Sequence, residues 1–439
     1  VTLLKNQRFL LLWSGNALSL VGTSGVRLAY PLLALTLFDS PSLAGWIAFA
    51  AAVPTLLLQV PAGLAADTVN RRLVMLLASA AGLIATTAVL LASALDLRGT
   101  AIILVVAAVV EGCAYVFFSI AEVGAVRDVV DERHRTVAFS FLEAEQPIGN
   151  LAGRAVGGAL FDLSRWAPFL LNAFSYVFCL VTLARMPSRL FDPRPSAAAP
   201  APDPFVEAPT PDPFVGAPAP DQSWGGTALG RVTGFWQRMS EGLVWLWRIP
   251  YLRLTTVITG VTNVLFQCIF LLILVVTTRD GRPVWTVGAI LAAAGVGGIL
   301  GSVVAPRLER AASPRALFLI CVWAWTALLA LVALSTHTLV LVVAWGGVGA
   351  VGSVVSVTLT VTRARAVPDG ALGRIVSAAS VITDGAVPVG AVLGGYLLAT
   401  AGPEVTARVV LAAMLIAAVL CTRLLRPAPA SSLSDFVPE

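Results

Sequence analysis

Charge is scarce in this chain, and that scarcity excludes most of what a protein of this length would otherwise be. Only 12% of its 439 residues are charged, 58% are hydrophobic and the mean hydropathy is +0.87, values that no soluble domain of this size carries. Histidine is nearly missing. The only two, His134 and His337, fall at loop positions, so neither a Ser/His/Asp set nor a metal-ligand cluster shares an apolar run. The five cysteines, Cys113, Cys179, Cys268, Cys321 and Cys421, lie scattered with no Cys-x-x-Cys or Cys/His spacing and read as reduced packing residues. No Gly-x-x-x-x-Gly-Lys-Ser/Thr loop occurs, which argues against direct ATP drive. An enzyme is disfavoured, and no cofactor or metal is expected.

Apolar runs are what the chain has instead. Twelve of them reach the length of roughly 20 residues needed to cross a hydrocarbon core about 30 Å thick. They are placed near Phe9 to Phe38, Leu43 to Ala66, Leu73 to Leu95, Thr100 to Ala121, Ala138 to Leu163 and Trp166 to Met186. The second six lie near Leu252 to Thr278, Val284 to Leu308, Pro314 to Ser335, Thr338 to Val361, Gly373 to Thr400 and Val405 to Leu425. The first run is too long for a cleavable signal peptide and lacks a small-residue cleavage site. With both termini cytoplasmic, most of the 29 basic residues fall in inside segments, as the positive-inside rule expects. The net charge of +5 therefore reports topology in a lipid bilayer and implies no nucleic-acid partner.

These runs divide the chain into an N-terminal six-helix bundle at 1–186 and a C-terminal one at 251–426. Between them, 187–226 is rich in Pro and Ala, repeats Pro-Asp-Pro-Phe-Val at 202–206 and 211–215, and reads as a disordered cytoplasmic linker, or else as a docking motif. In 227–250, Leu229, Val232, Trp236, Met239, Leu243 and Leu246 step by threes and fours, which predicts an amphipathic helix on the inner membrane surface. A polar tail follows at 427–439. The fold class is all-α integral membrane, twelve transmembrane helices in two bundles. The inside loop from Gly301 to Arg315 is a degenerate copy of the one from Gly63 to Arg72, and such paired halves suit a midplane site between repeats.

Ionisable groups inside spans cost about 2.5 to 3.5 kcal/mol each on insertion scales, so each needs a reason. Here they are Arg27, Glu111, Glu122, Glu143, Glu145, Arg154 and Asp384. Helical spacing puts Asn16, Ser19, Thr23, Arg27 and Tyr30 on one face of the first span, and Glu111, Tyr115 and Glu122 on one face of the fourth. Thr256, Thr259, Asn263 and Gln267 share a face of the seventh, and Ser377, Ser380 and Asp384 one of the eleventh. The stripes line one shared hydrated cavity, or they serve as interhelical hydrogen bonds. Glu111 with Arg27 is either a proton-loading pair or a permanent buried ion pair. Glu122 and Asp384 complete the proton-coupling set, and Glu122 is expected to be solvated or paired with Arg127. The substrate-cavity set is Asn16, Thr23, Tyr115, Arg154, Asn263, Gln267 and Ser380.

Gly63, Asp67 and the basic pair Arg71/Arg72 resemble the loop between helices 2 and 3 of the major facilitator superfamily, with Thr68 and Asn70 departing from its pattern. Asn70 stands where the family has glycine, and Asn tolerates a left-handed backbone better than most residues. Gly149, Gly153, Gly157 and Gly158 resemble the glycine-rich motif of span 5 in drug:proton antiporters, with Arg154 in place of proline. Val126-Arg127-Asp128, Glu241 to Arg248 and Gly373-Arg374-Ile-Val-Ser look like the branch containing bacterial siderophore exporters and macrolide efflux proteins.

The resemblance implies a secondary transporter in the cell (inner or plasma) membrane, a monomer that exports a small amphiphilic or drug-like molecule against inward proton flow by alternating access. It also implies that Asp67 latches the cytoplasmic gate by capping the eleventh span. Arg71 and Arg72 pair with Asp128 or lipid phosphate, or serve simply as positive-inside anchors. Import of a metabolite or lipid-related substrate and a non-transporting sensor acting through the linker are the alternatives.

Overall fold

The computed structural model describes residues 6–95, 99–192, 240–366 and 369–425, apart from the side chains of 136 and 364–372. It is almost wholly helical. The first half comprises α1 (Gln7–Phe38), α2 (Pro41–Leu57), α3 (Gln59–Thr68), α4 (Arg71–Ala94), α5 (Thr100–Val129), α6 (Arg135–Leu163) and α7 (Ala167–Ala184). A short helix α8 at 240–248 precedes α9 (Pro250–Arg279), α10 (Trp285–Ala311), α11 (Pro314–Leu334), α12 (Thr338–Ala366) and α13 (Asp369–Leu424). Among the described residues, nine helices are long and apolar enough to cross a membrane, and the bent pair α2/α3 makes a tenth. The charged α6 is not among them. α13 consists of two arms meeting at Gly402, whose φ of 77° and ψ of 173° suit glycine alone.

Local chemistry sets the helix ends. The Asn6 side chain accepts from the Arg8 and Phe9 amides at 3.1 and 3.2 Å, starting α1, a cap worth about 1 kcal/mol. α1 stops at Asp39, which takes the left-handed conformation (φ 46°), and Ser40 with Pro41 at once begins α2.

The second apolar run is not one straight helix. α2 and α3 meet at a 52° bend beside Leu58. Pro61 explains it: proline lacks an N–H and its ring collides with the carbonyl four residues earlier, here Leu57, where α2 ends.

α1 to α7 pack with one another, as do α9 to α13, and the two groups meet chiefly along α2 with α13 and α6 with α10. We call the end holding residues 6 and 425 proximal and the other distal. At the distal end the halves touch backbone to backbone. A methyl group at Gly158 would lie 2.9 Å from the Gly288 Cα, and one at Gly45 would lie 3.1 Å from the Gly395 Cα. The Asp162 carboxylate there accepts from the Val284 and Trp285 amides at 2.6 and 2.9 Å, capping α10, and the Trp46 indole donates to the Tyr396 hydroxyl. Toward the proximal end the halves part. Past the Leu56–Gly385 contact, α3 turns away, and Gly63 and Gly373 face open space.

Two expectations for the middle of the chain need correction. The linker does not begin at 187, because Ser188–Phe191 forms a 3-10 turn and Phe191 is fully buried against the proximal ends of α4 and α5. The Asn70 amide holds this turn, donating to the Ser188 carbonyl at 2.9 Å and to Asp192 at 2.5 Å. Likewise α8 does not simply lie on a membrane surface. Leu246 is buried against Leu252, Ile375 and Ala379, and Glu241 pairs with Arg374 at 2.5 Å, although Trp245 and Trp247 remain exposed. The Pro-Asp-Pro-Phe-Val repeat, the stripe positions Leu229 to Met239 and the 427–439 tail lie outside the described residues.

Candidate functional site

Among the described residues, polar side chains line two recesses, one in each half, where the four stripes suggested one shared cavity. The first lies among α1, α4, α5 and α7 and has a volume of about 30 Å³; Asn16, Ser19, Thr23, Tyr115, Glu122 and Gln146 are among its walls. The second, among α9, α11, α12 and α13, is about 390 Å³. Thr259, Asn263, Ser380 and Asp384 supply its expected polar groups, and Arg363, Phe266 and Trp325 join them. The separation follows from packing within each half: α1 packs on α6 and α7, and α9 on α13, and Asn16, Ser19 and Thr23 of the first stripe line the first recess.

Glu111 is buried and hydrogen-bonded through Oε1. Its carboxylate accepts from the Thr86 hydroxyl, and from the Asn172 amide at 3.3 Å; that amide also donates to Thr86 at 2.9 Å. Arg27 forms no ion pair with it. The guanidinium is exposed and stacks 4.2 Å above the Tyr115 ring, whose hydroxyl donates to Gln146 at 3.3 Å. A permanent Arg27–Glu111 pair is therefore excluded in this conformation. Thr86 and Asn172 were missed by the sequence reading, and their signal was weak: single neutral polar residues in otherwise apolar spans.

Glu122 is neither solvated nor paired with Arg127. It is 4% exposed, and Arg127 lies 5.8 Å from the Phe139 ring centre instead. Its neighbour is Glu145 of α6, 6% exposed, with the Asn16 side chain beside both carboxyls. Arg154 lines neither recess; it sits on α6 where its own carbonyl faces Gly288 of α10. Gln267 packs against Gly390 of α13 and is not among the walls of these two recesses.

In the second recess the Asn263 amide donates to the Thr383 carbonyl at 2.9 Å, tying α9 to α13 at the level of Asp384. Asp384 itself is exposed to the recess. Phe266 stands edge-on to Trp325 at 5.3 Å, and the Trp325 indole donates to the Val348 carbonyl at 3.2 Å. The walls thus offer aromatic edges, hydroxyls, one guanidinium and one carboxylate, a surface suited to an amphiphilic molecule.

At the proximal turn, Arg71 pairs with Asp128 at 2.7 Å, and Arg72 donates to the Leu183 and Ala184 carbonyls at 2.7 and 3.0 Å, capping the end of α7. Asn70 is not left-handed. With φ −56° and ψ 117° it is the N-cap of α4, accepting from the Leu73 amide at 3.2 Å. Asp67 is exposed and caps no helix among the described residues. Gly149, Gly153 and Gly157 pack on α1, against Leu20, Ser24 and Gly25, whereas Gly158 crosses to α10.

A comparison with curated proteins finds no match in sequence. Among solved structures, the chain resembles the nucleoside transporter NupG with a TM-score of 0.69 at 13% identity, over 96% of this chain and 100% of that one. It resembles a bacterial metal transporter with a TM-score of 0.65 at 16% identity, over 96% and 99%. A bacterial homologue of the iron transporter ferroportin, in an inward-facing state, gives 0.65 at 16% over the same shares. Residues 12–314, well over half of the chain, match the Major Facilitator Superfamily. The chain therefore belongs to that superfamily and is a multi-span membrane transporter, not an enzyme.

Proposed function

We propose that this transporter is a proton-coupled exporter of a small amphiphilic or drug-like molecule, an antibiotic, a siderophore or a compound of similar build. It spans the cell membrane twelve times as a monomer, with α2/α3 and α6 each one span, α13 two, and both termini in the cytoplasm. The observation that carries the reading is the second recess, in which Phe266 and Trp325 stand beside Asn263, Ser380, Asp384 and Arg363 in a bundle sealed only at its distal end. With the proximal end cytoplasmic, the described conformation is the one that loads substrate from the cell interior. Rocking of the halves about the α2/α13 and α6/α10 seams would then expose the recess on the other side. The buried carboxyls, Glu111 first, carry the coupling proton.

Proteoliposomes with an imposed pH gradient test this while antibiotics, dyes and siderophores are added in turn. Substrate-dependent proton movement with the sign of antiport supports export, and absence of both proton movement and substrate exchange across the panel overturns it. Import of a metabolite is the second reading. It is favoured by the likeness to a nucleoside transporter and by the hydroxyl- and amide-rich wall at Thr259, Asn263 and Ser380, and proton movement of symport sign would select it.

A further inference from the structure

The second recess is a cleft with opposite charges toward its two ends. Of the described residues that wall it, only Arg363 and Asp384 are charged. Arg363 lies in the last turn of α12 and Asp384 about four turns into α13, the next helix, so roughly 18 Å separates their positions along the bundle. Arg363 therefore stands toward the proximal mouth. Asp384 lies deep, level with the bond from the Asn263 amide to the Thr383 carbonyl. Phe266 is about one turn beyond Asn263, with Trp325 and Trp345 edge-on to it at 5.3 and 6.2 Å. Between the two poles α12 presents Val355, Ser356, Leu359 and Thr360.

Among the described residues, neither charge is answered by the protein, and the two form no ion pair with each other. Arg363 makes no hydrogen bond there, and its Nε is buried without a partner. Asp384 accepts only a long bond, 3.5 Å, from the hydroxyl of its neighbour Thr383. Solvent serves both poles only while the cleft is open. A molecule that fills the cleft displaces that solvent, and one carrying a single charge, or none, would leave a pole buried and uncompensated. A molecule with both charges answers both poles through charge-assisted hydrogen bonds. We propose that the recess selects an elongated zwitterion: an apolar or aromatic head against Phe266 and Trp325, an amine beside it on Asp384, and a carboxylate at the far end on Arg363. The inference rests on the second recess being the substrate site, as proposed above, and narrows an amphiphilic cargo to one of defined charge pattern. Asp384, which the sequence suggested as a proton carrier, becomes a substrate ligand.

Saturable binding to the full-length protein in detergent is measured by scintillation proximity with tritiated probes of one skeleton. They are N-naphthylmethyl-ω-aminooctanoic acid, its methyl ester, its N-acetyl derivative and the N-acetyl methyl ester, which carry both charges, the amine alone, the carboxylate alone and neither. The zwitterion should bind roughly tenfold or more tightly than each of the others. Arg363→Gln should erase the difference between acid and ester while keeping that between amine and amide, and Asp384→Asn should do the reverse. Equal affinity for the four probes, no saturable binding of any, or a preference that neither substitution moves would each overturn the proposal. The probe series is read on the unsubstituted protein, so it decides even where a variant does not fold. Binding depends on neither proton movement nor direction. Zwitterion selectivity without antiport would therefore remove the export reading and leave this one, and antiport of a cargo lacking either charge would do the opposite.

Discussion

Glu111 illustrates how a membrane span accommodates a carboxyl. Thr86 and Asn172, from two other helices, supply its hydrogen bonds, and the Arg27 guanidinium stacks on Tyr115 instead. Gln at this position keeps the shape and can still accept from Thr86. Glu111→Gln should therefore leave the fold and substrate exchange intact but lower uphill transport by roughly a hundredfold, the scale of losing a positioned proton carrier; counterflow and gradient-driven flux in proteoliposomes separate the two. Arg72 acts on stability instead. Removing its two hydrogen bonds to the α7 terminus in Arg72→Gln should cost about 1 kcal/mol and lower the unfolding midpoint without altering exchange. The candidate residues were legible because an ionisable group in an apolar run is conspicuous, whereas their partners were not. Arg27 facing Glu111 along the sequence was a natural guess, and only the packing of α4 and α7 around Glu111 withdraws it.

At the scale of the element, periodicity and punctuation located every span to within a few residues at most ends, since caps such as Asn6, Ser40 and Asn70 are written locally. Two outcomes were not written locally. α5 continues to Val129, well past its apolar stretch, because Ala121, Ala125, Val126 and Val130 are buried in the proximal cluster. The bend between α2 and α3 was overlooked although Pro61 was in view, since proline is tolerated in membrane helices and its effect depends on what surrounds the freed carbonyl. Pro61→Ala restores the missing N–H and should straighten the pair, bringing α3 toward α13. Spin labels near Gly63 and Gly373 should then report a shorter distance than in the unsubstituted protein, and an unchanged distribution would assign the bend to packing alone.

The whole molecule is asymmetric, tight at the distal seam and parted at the proximal one. Gly158 and Gly288 allow the distal approach, so Gly158→Val should force α6 from α10 and raise the reactivity of cysteines introduced on the distal side. Asp67 carries the complementary test. It is exposed and has no hydrogen-bond or ion-pair partner among the described residues, so a latch at Asp67 would act in the conformation with the proximal end closed. Asp67→Asn should consequently enrich the proximal-open form, seen as higher proximal and lower distal cysteine accessibility; equal accessibility in both proteins would deprive Asp67 of a gating role.

The sequence by itself determined that this chain lives in a membrane, where most of its helices begin and end, and which residues are too costly to bury without purpose. These follow from hydropathy, capping and the price of desolvating charge, all of which act over one helix turn or one helix length. Only the tertiary structure decided which polar groups meet. It divided the stripes between two recesses, brought Glu145 to Glu122, gave Arg27 to Tyr115 and left Asp67 without a partner among the described residues, because such pairings depend on the register and tilt of helices far apart in the chain, set by side-chain packing that no local pattern encodes.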